Sequence, residues 1–322
     1  MEPEVFVPPS VEFEKKQDRK IFFARALFAL GAVALLSLLG YFIYNNYWNR
    51  QLSINIIDET QKLLLVSRVA PFSGVLIIDT KEKTATPFTA PAQGSSIMLD
   101  VATQGTSTEV YLLSNPSLTV SNIYKQDRSK VEIGLTQVTA SQNFKYDLSY
   151  DFLSNTSAYV VDKGASSSPH IVVYTQNTNA EITLGEGTRP TLLPGGFFVV
   201  YQKGEELVAV EIASKKMHTL IQIPTGEVYA VDATNKKIAL YNETQKEIQW
   251  FEFPSTVSAS YLSSEKVSND PQTLSFSPSK LLITYASKEE EGGLVFEVVG
   301  TNKKITVPLV GGEGYKVSTQ YE

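Results

Sequence analysis

The sequence predicts an all-β domain carried behind a single membrane-spanning helix. Three observations predict it. An uncharged apolar stretch runs from Ala26 to Tyr44. From residue 53 onward, short segments rich in Val, Ile, Leu, Tyr and Phe alternate with polar turns. Those segments also recur along the chain at a regular spacing.

The stretch Ala26–Tyr44 (ALFALGAVALLSLLGYFIY) contains no charge, and Ser37 is its one polar side chain of note. At 1.5 Å per residue it makes a helix of about 28 Å, enough to cross a bilayer core. Lys15, Lys16, Arg19, Lys20 and Arg25 precede it, whereas the near C-terminal flank offers only Arg50. Lys and Arg near a span stay on the cytoplasmic side, so the tail is expected inside and the large domain outside. Tyr41, Phe42, Tyr44, Tyr47 and Trp48 cluster at the outer end, as rings that favour the headgroup layer do. The expected layout is a cytoplasmic tail at 1–20, a transmembrane helix with its interface belt at 21–47, and an extracytoplasmic domain at 48–322. Membrane lipid is therefore an expected partner of residues 21–47.

Two competing readings of the stretch remain. A cleaved signal peptide has a shorter apolar region and a small-residue exit, where this exit is bulky and aromatic. A buried core helix of this length rarely lacks charge. A lipoprotein anchor is excluded, because the chain has no cysteine. Gly31, Ala34, Ser37 and Gly40 recur every third residue, which reads as ordinary span composition without the stronger four-residue dimer spacing. The tail Met1–Gln17, with Pro3, Pro8 and Pro9, reads as extended or disordered.

The absence of cysteine excludes disulfides, thiolate nucleophiles, Cys-ligated zinc and iron–sulfur clusters. A domain of about 270 residues can be held by burial alone. The formal charge of −6 and the lack of a Lys/Arg run outside the juxtamembrane segment argue against a nucleic-acid partner.

The outer domain reads as repeats of strand, short turn, strand. They begin at Ile54 (INIIDETQKLLLVS), Ile97 (IMLDVATQGTSTEVYLLS), Leu148 (LSYDFLSNTSAYVVD), Thr191 (TLLPGGFFVVYQ), Val228 (VYAVDATNKKIALYN) and Leu274 (LSFSPSKLLITYAS). Successive starts differ by 43, 51, 43, 37 and 46 residues, close to the roughly 40–50 residues of one four-stranded propeller blade. The second half of each unit, as in GVLIIDTKEKTATPF or HIVVYTQNTNAEITL, supplies two more strands, with EIQWFEF and TVSASYL forming a compressed outer pair in the fifth unit. Six such units fill residues 53–310, so the expected fold is a six-bladed β-propeller preceded by a single transmembrane α-helix. A tandem of two-sheet sandwiches is the alternative. Equivalent buried second-strand positions are expected at Leu64, Tyr111, Val160, Val199, Ala239 and Ile283.

At these residues the chain resembles the TolB-like six-bladed β-propeller repeat family. In that family a blade's first hairpin often carries a Ser-Pro-Asp-Gly-Lys turn. Ser277-Pro278-Ser279-Lys280 is the nearest match and lacks the Asp and the Gly; Pro194-Gly195-Gly196 is a second echo, and Thr188-Arg189-Pro190 looks like the family's blade entry. The resemblance implies a fold and carries no partner with it.

Catalytic sets are nearly absent from the sequence. No G-x-S-x-G elbow occurs. His170, at the end of GASSSPH, and His218, in KKMHTLIQI, are the two histidines, and both read as structural, His218 on an outer strand. Gly311-Gly312-Glu313-Gly314 opens no helix and reads as a turn after the last blade rather than a phosphate loop. Glu289-Glu290-Glu291 reads as a solvated acidic turn rather than a Ca²⁺ site. Asn155-Thr156-Ser157 and Asn242-Glu243-Thr244 match the glycosylation sequon at near-chance frequency. No catalytic, cofactor-binding or metal-binding residue is assigned, no cofactor is expected, and the chain is expected not to be an enzyme.

The expected function is a membrane-anchored extracytoplasmic propeller that binds an unknown protein or glycan. The alternatives are a structural subunit of a cell-envelope or secretion complex, and a hydrolase or lyase using Asp, Glu and Tyr in the central funnel. Thr103–Thr108, Lys163–Pro169 and Ser287–Gly293, the longest polar interruptions between strands, are the candidate binding loops, expected together on one face of the ring.

Overall fold

The computed structural model describes Ser37 and residues 62–321, except 68–73, 80–81, 89–95, 105–107, 128–133, 163–167, 225–226, 268–269, 277–281, 289–292, 301–303 and 309–314. The chain divides into two compact units, Met1–Ile57 and Asp58–Glu322. In the first, Ser37 is helical and exposed; the rest of the expected span, Ala26–Tyr44, lies outside the described residues. Among the described residues no helix is long and apolar enough to cross a membrane.

The second unit is all-β. Its described residues form six four-stranded antiparallel sheets. The first joins β1 (Lys62–Ser67), β2 (Gly74–Asp79) and β3 (Thr84–Phe88) to β24 (Tyr315–Tyr321). The second is β4 (Ile97–Gln104), β5 (Thr108–Ser114), β6 (Ser121–Asp127) and the two-residue β7 (Thr136–Gln137). The third is β8 (Phe144–Asp151), β9 (Thr156–Asp162), β10 (His170–Thr175) and β11 (Ala180–Glu186). The fourth is β12 (Thr188–Leu192), β13 (Phe198–Lys203), β14 (Glu206–Glu211) and β15 (Met217–Gln222). The fifth is β16 (Tyr229–Asp232), β17 (Lys237–Asn242), β18 (Glu247–Glu252) and β19 (Ser260–Lys266). The sixth is β20 (Thr273–Phe276), β21 (Leu282–Lys288), β22 (Gly293–Val298) and β23 (Lys304–Pro308).

One expectation is corrected here. The six units do not end at residue 310. The first sheet takes its leading strand from beyond it: β24 pairs antiparallel with β1, Lys62 opposite Tyr321 and Leu65 opposite Val317. The expected leading strand at Ile54 lies outside the described residues. The Gly311–Gly314 segment, expected to trail the last blade, connects β23 to β24 instead.

The core is a series of interfaces between neighbouring sheets. On β9, alternate residues serve opposite neighbours, as a period of two requires. Ala158 and Val160 pack with Leu192, Val199 and Val208 of the fourth sheet, while Tyr159 and Val161 pack with Val110, Leu112 and Ile123 of the second. Middle strands are thus buried on both faces and read as continuous apolar runs. Outer strands are not: every residue of β19 but Glu265 is exposed. Of the expected second-strand positions, Tyr111, Val160, Val199 and Ala239 are fully buried. Leu64 and Ile283 fall on β1 and β21, with side chains outside the described residues.

Four of the six leading strands share a further device. The register shifts where β4, β8 and β12 meet their second strands, and again on β24 against β1. A bulge increases twist and leaves an amide without a ladder partner. Neighbouring sheets supply acceptors to the leading strands, at the bulge of β8 and just past that of β12. Leu148 N–H donates to Asp100 Oδ2 at 3.0 Å, and Leu192 N–H to Ser149 Oγ at 3.0 Å. Asp100 and Ser149 each follow the bulge of the preceding leading strand.

Substituting Val199→Asp places a charge between two sheets and is expected to cost about 4 kcal/mol in urea unfolding. Leu153→Asp, at an exposed turn residue, should shift stability by about 0.5 kcal/mol or less. Equal costs would contradict this placement of the core.

Candidate functional site

In a four-stranded meander, the first-to-second and third-to-fourth connections leave one end of the sheet, and the remaining connections leave the other. Neighbouring sheets point the same way. Asp151 Oδ2, at the end of β8, accepts from Gly195 N–H at 3.0 Å just beyond β12, while Ser149 meets Leu192 one step earlier on both strands. Arg189, near the start of β12, lies over the Tyr229 ring that starts β16, 5.6 Å from its centroid. The leading strands β24, β4, β8 and β12 adjoin in turn, as do β16, β20 and β24.

This corrects the expectation that the three candidate loops share a face. Thr103–Thr108 joins a first strand to a second, whereas Lys163–Pro169 and Ser287–Gly293 join second strands to third. Their middle residues, 105–107, 163–167 and 289–292, lie outside the described residues, the acidic Glu289–Glu291 run included.

The two ends differ in charge. Among the described residues, connections of the first class carry Lys83, Lys215, Lys216 and Lys236 against Glu82. The other connections carry, among the described residues, Glu205, Glu227, Glu243 and Asp270 against Lys246. We call these the basic and acidic ends after their connections; the strands that run to the basic end also finish there in Asp79, Asp127, Asp151, Glu211, Asp232 and Glu252. At the basic end Lys83, Lys215 and Lys216 are exposed, and Lys83, Lys215 and Lys236 have φ of 54°, 57° and 53°. That left-handed region favours Gly or Asn, and a lysine there costs about 1–2 kcal/mol. At the acidic end, Glu227 is pushed above the usual carboxylate range by burial and by the Glu243 carboxylate. Asp270 there is held low by hydrogen bonds from Lys246 Nζ, at 2.6 Å, and Tyr241 Oη.

The basic end also exposes apolar side chains. Leu153 is 80 % exposed and Phe197 71 %, on the β8–β9 and β12–β13 turns, and Val257 is 54 % exposed between β18 and β19. The first two turns are locked together. Asp151 Oδ2 also accepts from Ser154 Oγ at 2.6 Å and Ser154 N–H at 3.2 Å. Gly196 has φ of 68°, and a Cβ there would overlap Ser154 Oγ. Pro194-Gly195-Gly196, read from sequence as a family-type turn, therefore does sit in a first hairpin. Ser277–Lys280 occupies the same position between β20 and β21, outside the described residues. Thr188-Arg189-Pro190 forms the bulged start of β12, the leading strand of the fourth sheet.

The histidines are not brought together into one sheet. His170 starts β10 with Nδ1 2.6 Å from the Ser168 carbonyl, and His218 lies on β15, an outer strand. Among the described residues no group of three His, Cys, Asp or Glu could hold a metal. The sequon asparagines are engaged in the fold. Asn155 Oδ1 accepts from Lys125 Nζ at 2.7 Å and Tyr150 Oη at 3.2 Å, and Asn242 Oδ1 accepts from Gln245 N–H at 3.0 Å.

A buried lysine was not foreseen. Lys145, on β8, is fully buried between the second and third sheets. Its Nζ donates to the Ser121 carbonyl at 2.7 Å, to Asn122 Oδ1 at 3.3 Å and to Ser141 Oγ, over the Tyr159 ring at 5.8 Å. Burial lowers its pKa to about 8, with Glu181 opposing the shift. Tyr159 donates to Glu181 Oε1 at 2.6 Å, and burial pushes its phenol well up. Lys145 thus clamps two sheets and, being buried, is closed to substrate.

The fold is that of a β-propeller similar to TolB. TolB from Acinetobacter baumannii superposes with a TM-score of 0.54 at 14% identity, over 82% of this chain and 67% of that one. A functionally unknown protein from Desulfotomaculum acetoxidans DSM 771 superposes with a TM-score of 0.51 at 12% identity, over 77% of this chain and 81% of that one. Neither the family models nor the curated proteins contain a match. At these identities the likeness concerns the fold alone.

Two predictions come from these contacts. Gly196→Ala should cost about 2–3 kcal/mol in chemical denaturation, against about 1 kcal/mol for Gly204→Ala. Both glycines have positive φ, but Gly204 has open space around it; equal costs would remove the turn lock. For Lys145, the unfolded chain binds the proton more tightly than the folded one, so stability should rise with pH from about 8 toward 10. The penalty relieved is about 3 kcal/mol at most. Above pH 10 the buried tyrosines, whose folded pKa values are raised, reverse the slope. Lys145→Met should flatten the rise; a slope unchanged in that variant would contradict the assignment.

Proposed function

We propose that the chain is a membrane-anchored, extracytoplasmic six-bladed propeller that binds a protein or glycan at its acidic end, and that it binds rather than catalyses. The observation that supports this reading is the gathering of Glu205, Glu227, Glu243 and Asp270 on one set of connections. A rigid frame that gathers carboxylates on one set of connections presents a field that attracts and orients a partner with a cationic surface. Glu227 and Glu243, close enough to raise the Glu227 pKa, repel each other until such a partner arrives. Lys163–Pro169 and Ser287–Gly293 open on the same end and extend the contact surface. Placement outside the cell and the anchor at residues 21–47 rest on the flanking charges and apolar length of the span.

Membrane-impermeant crosslinking on intact cells, with the full chain, tests this. The expected result is crosslinks to a partner that are lost when Lys163–Pro169 and Ser287–Gly293 are both replaced by short Gly/Ser turns, with the thermal midpoint unchanged. Crosslinks that persist in the swapped chain contradict the choice of end. Reaction only after lysis contradicts the outward placement.

A further inference from the structure

We propose that Lys125 and Asn155 join in an intramolecular isopeptide bond, which ties the second sheet to the third, with Tyr150 polarising the carboxamide. This goes beyond the binding reading and depends on neither the anchor nor the choice of end.

The geometry is that of a nucleophile held at an acyl group. Lys125 lies on β6 of the second sheet, and Asn155 on the turn between β8 and β9 of the third. Lys125 Nζ is 2.7 Å from Asn155 Oδ1, and Tyr150 Oη donates to the same oxygen at 3.2 Å. Nζ also lies 3.5 Å from Tyr150 Oη. One carbonyl bond, about 1.2 Å, separates Oδ1 from Cγ, so the amine sits beside the carbon that an acyl transfer attacks. Holding the two groups together removes most of the entropy cost of their meeting.

The surroundings favour each reactant in its reactive form. Burial lowers the Lys125 pKa, against the Asp127 carboxylate, which raises it, so the neutral amine is more accessible than on an exposed lysine. Burial, and then the Asp151 carboxylate, push the Tyr150 phenol up to about 12. Tyr150 therefore keeps its proton and aims it at the oxygen on which charge develops. The carboxamide is also held still. Asn155 has φ of 51°, a conformation that asparagine tolerates, and its backbone carbonyl accepts from Gln176 N–H at 3.1 Å. The Tyr150 ring packs edge-on against Phe152, with centroids 4.8 Å apart.

The step balances without a further reactant. The Nζ lone pair forms the bond to Cγ, and negative charge collects on Oδ1 beneath the Tyr150 hydroxyl. The Cγ–Nδ2 bond then breaks, and Nδ2 leaves with the proton that Nζ gives up. The products are one secondary amide and one ammonia. The two residues are 30 apart in the chain, so the bond closes a loop of the kind that a disulfide closes and restricts the unfolded chain in the same way. The chain has no cysteine with which to do so.

Mass spectrometry of the purified full chain tests this. The intact mass should be lower than the sequence mass by one ammonia. Trypsin should fail to cut after Lys125 and should release a branched peptide in which Lys125 is joined to Asn155. Lys125→Arg keeps the charge and the hydrogen-bond donors but removes the nucleophile; it should restore the full mass and lower the thermal midpoint. Tyr150→Phe, which keeps the ring, should leave a fraction of the chain unjoined. A native chain of full mass that trypsin cuts after Lys125 would overturn the proposal. So would a missing ammonia without the branched peptide, which would mark a succinimide elsewhere. A Tyr150→Phe chain joined as completely as the native one would overturn the role given to Tyr150.

Discussion

Every described interface in this domain is a sheet packed on a sheet, so each sheet needs a neighbour on both sides before its middle strands are out of water. A row of such sheets would leave two bare faces. The antiparallel pairing of β24 with β1 removes that difficulty by making the last segment of the chain the leading strand of the first sheet. β24 then adjoins both β4 and β20, so the sheets that would otherwise be terminal share a strand neighbourhood. A ring also hides long strand edges, leaving only outer strands to manage. Those strands show the usual protections. β7 is two residues long, and β11, β15 and β19 each carry a register shift.

Closure sets the geometry at the centre. Leading strands that converge must twist sharply, and the bulges on β4, β8, β12 and β24 supply the twist. The Leu148 amide, inside the β8 bulge, is taken up by Asp100, and the Leu192 amide, just past the β12 bulge on the same inner edge, by Ser149. Asp100 and Ser149 are therefore structural ties, and Asp100 is both buried and bonded to backbone N–H of the next sheet. Charge also gathers at the sheet ends, where connections can vary without disturbing the ladders.

The strands and their grouping were legible in the sequence, because period-two apolar segments and a spacing of about 44 residues are local signals. The fully buried Tyr111, Val160, Val199 and Ala239 sit where that spacing put them. β24 was not legible. YKVSTQY follows a glycine-rich segment, and its partner lies at the other end of the domain, so no local pattern marks it. The second strands carried a further signal: Tyr111, Tyr159, Tyr201, Tyr241 and Tyr285 recur on them. The charged ends were illegible for a different reason. No run of lysines exists to be seen; the basic end is assembled from single residues in turns that only the meander order brings together. Lys145 in NFKYDLSY looks like a surface lysine, and nothing in the sequence announces the Ser121, Asn122 and Ser141 acceptors on a neighbouring sheet and its approach.

Closure of the first sheet by the chain's last strand is the claim on which the rest depends. Native-state hydrogen exchange of the full chain tests it most directly. If β24 completes the ring, the amides of Tyr315–Tyr321 that pair with β1 should exchange only with the same opening free energy as the amides of β1 and β5. Exchange of β24 at the rate of an unprotected segment, with β5 and β9 still slow, would contradict the account.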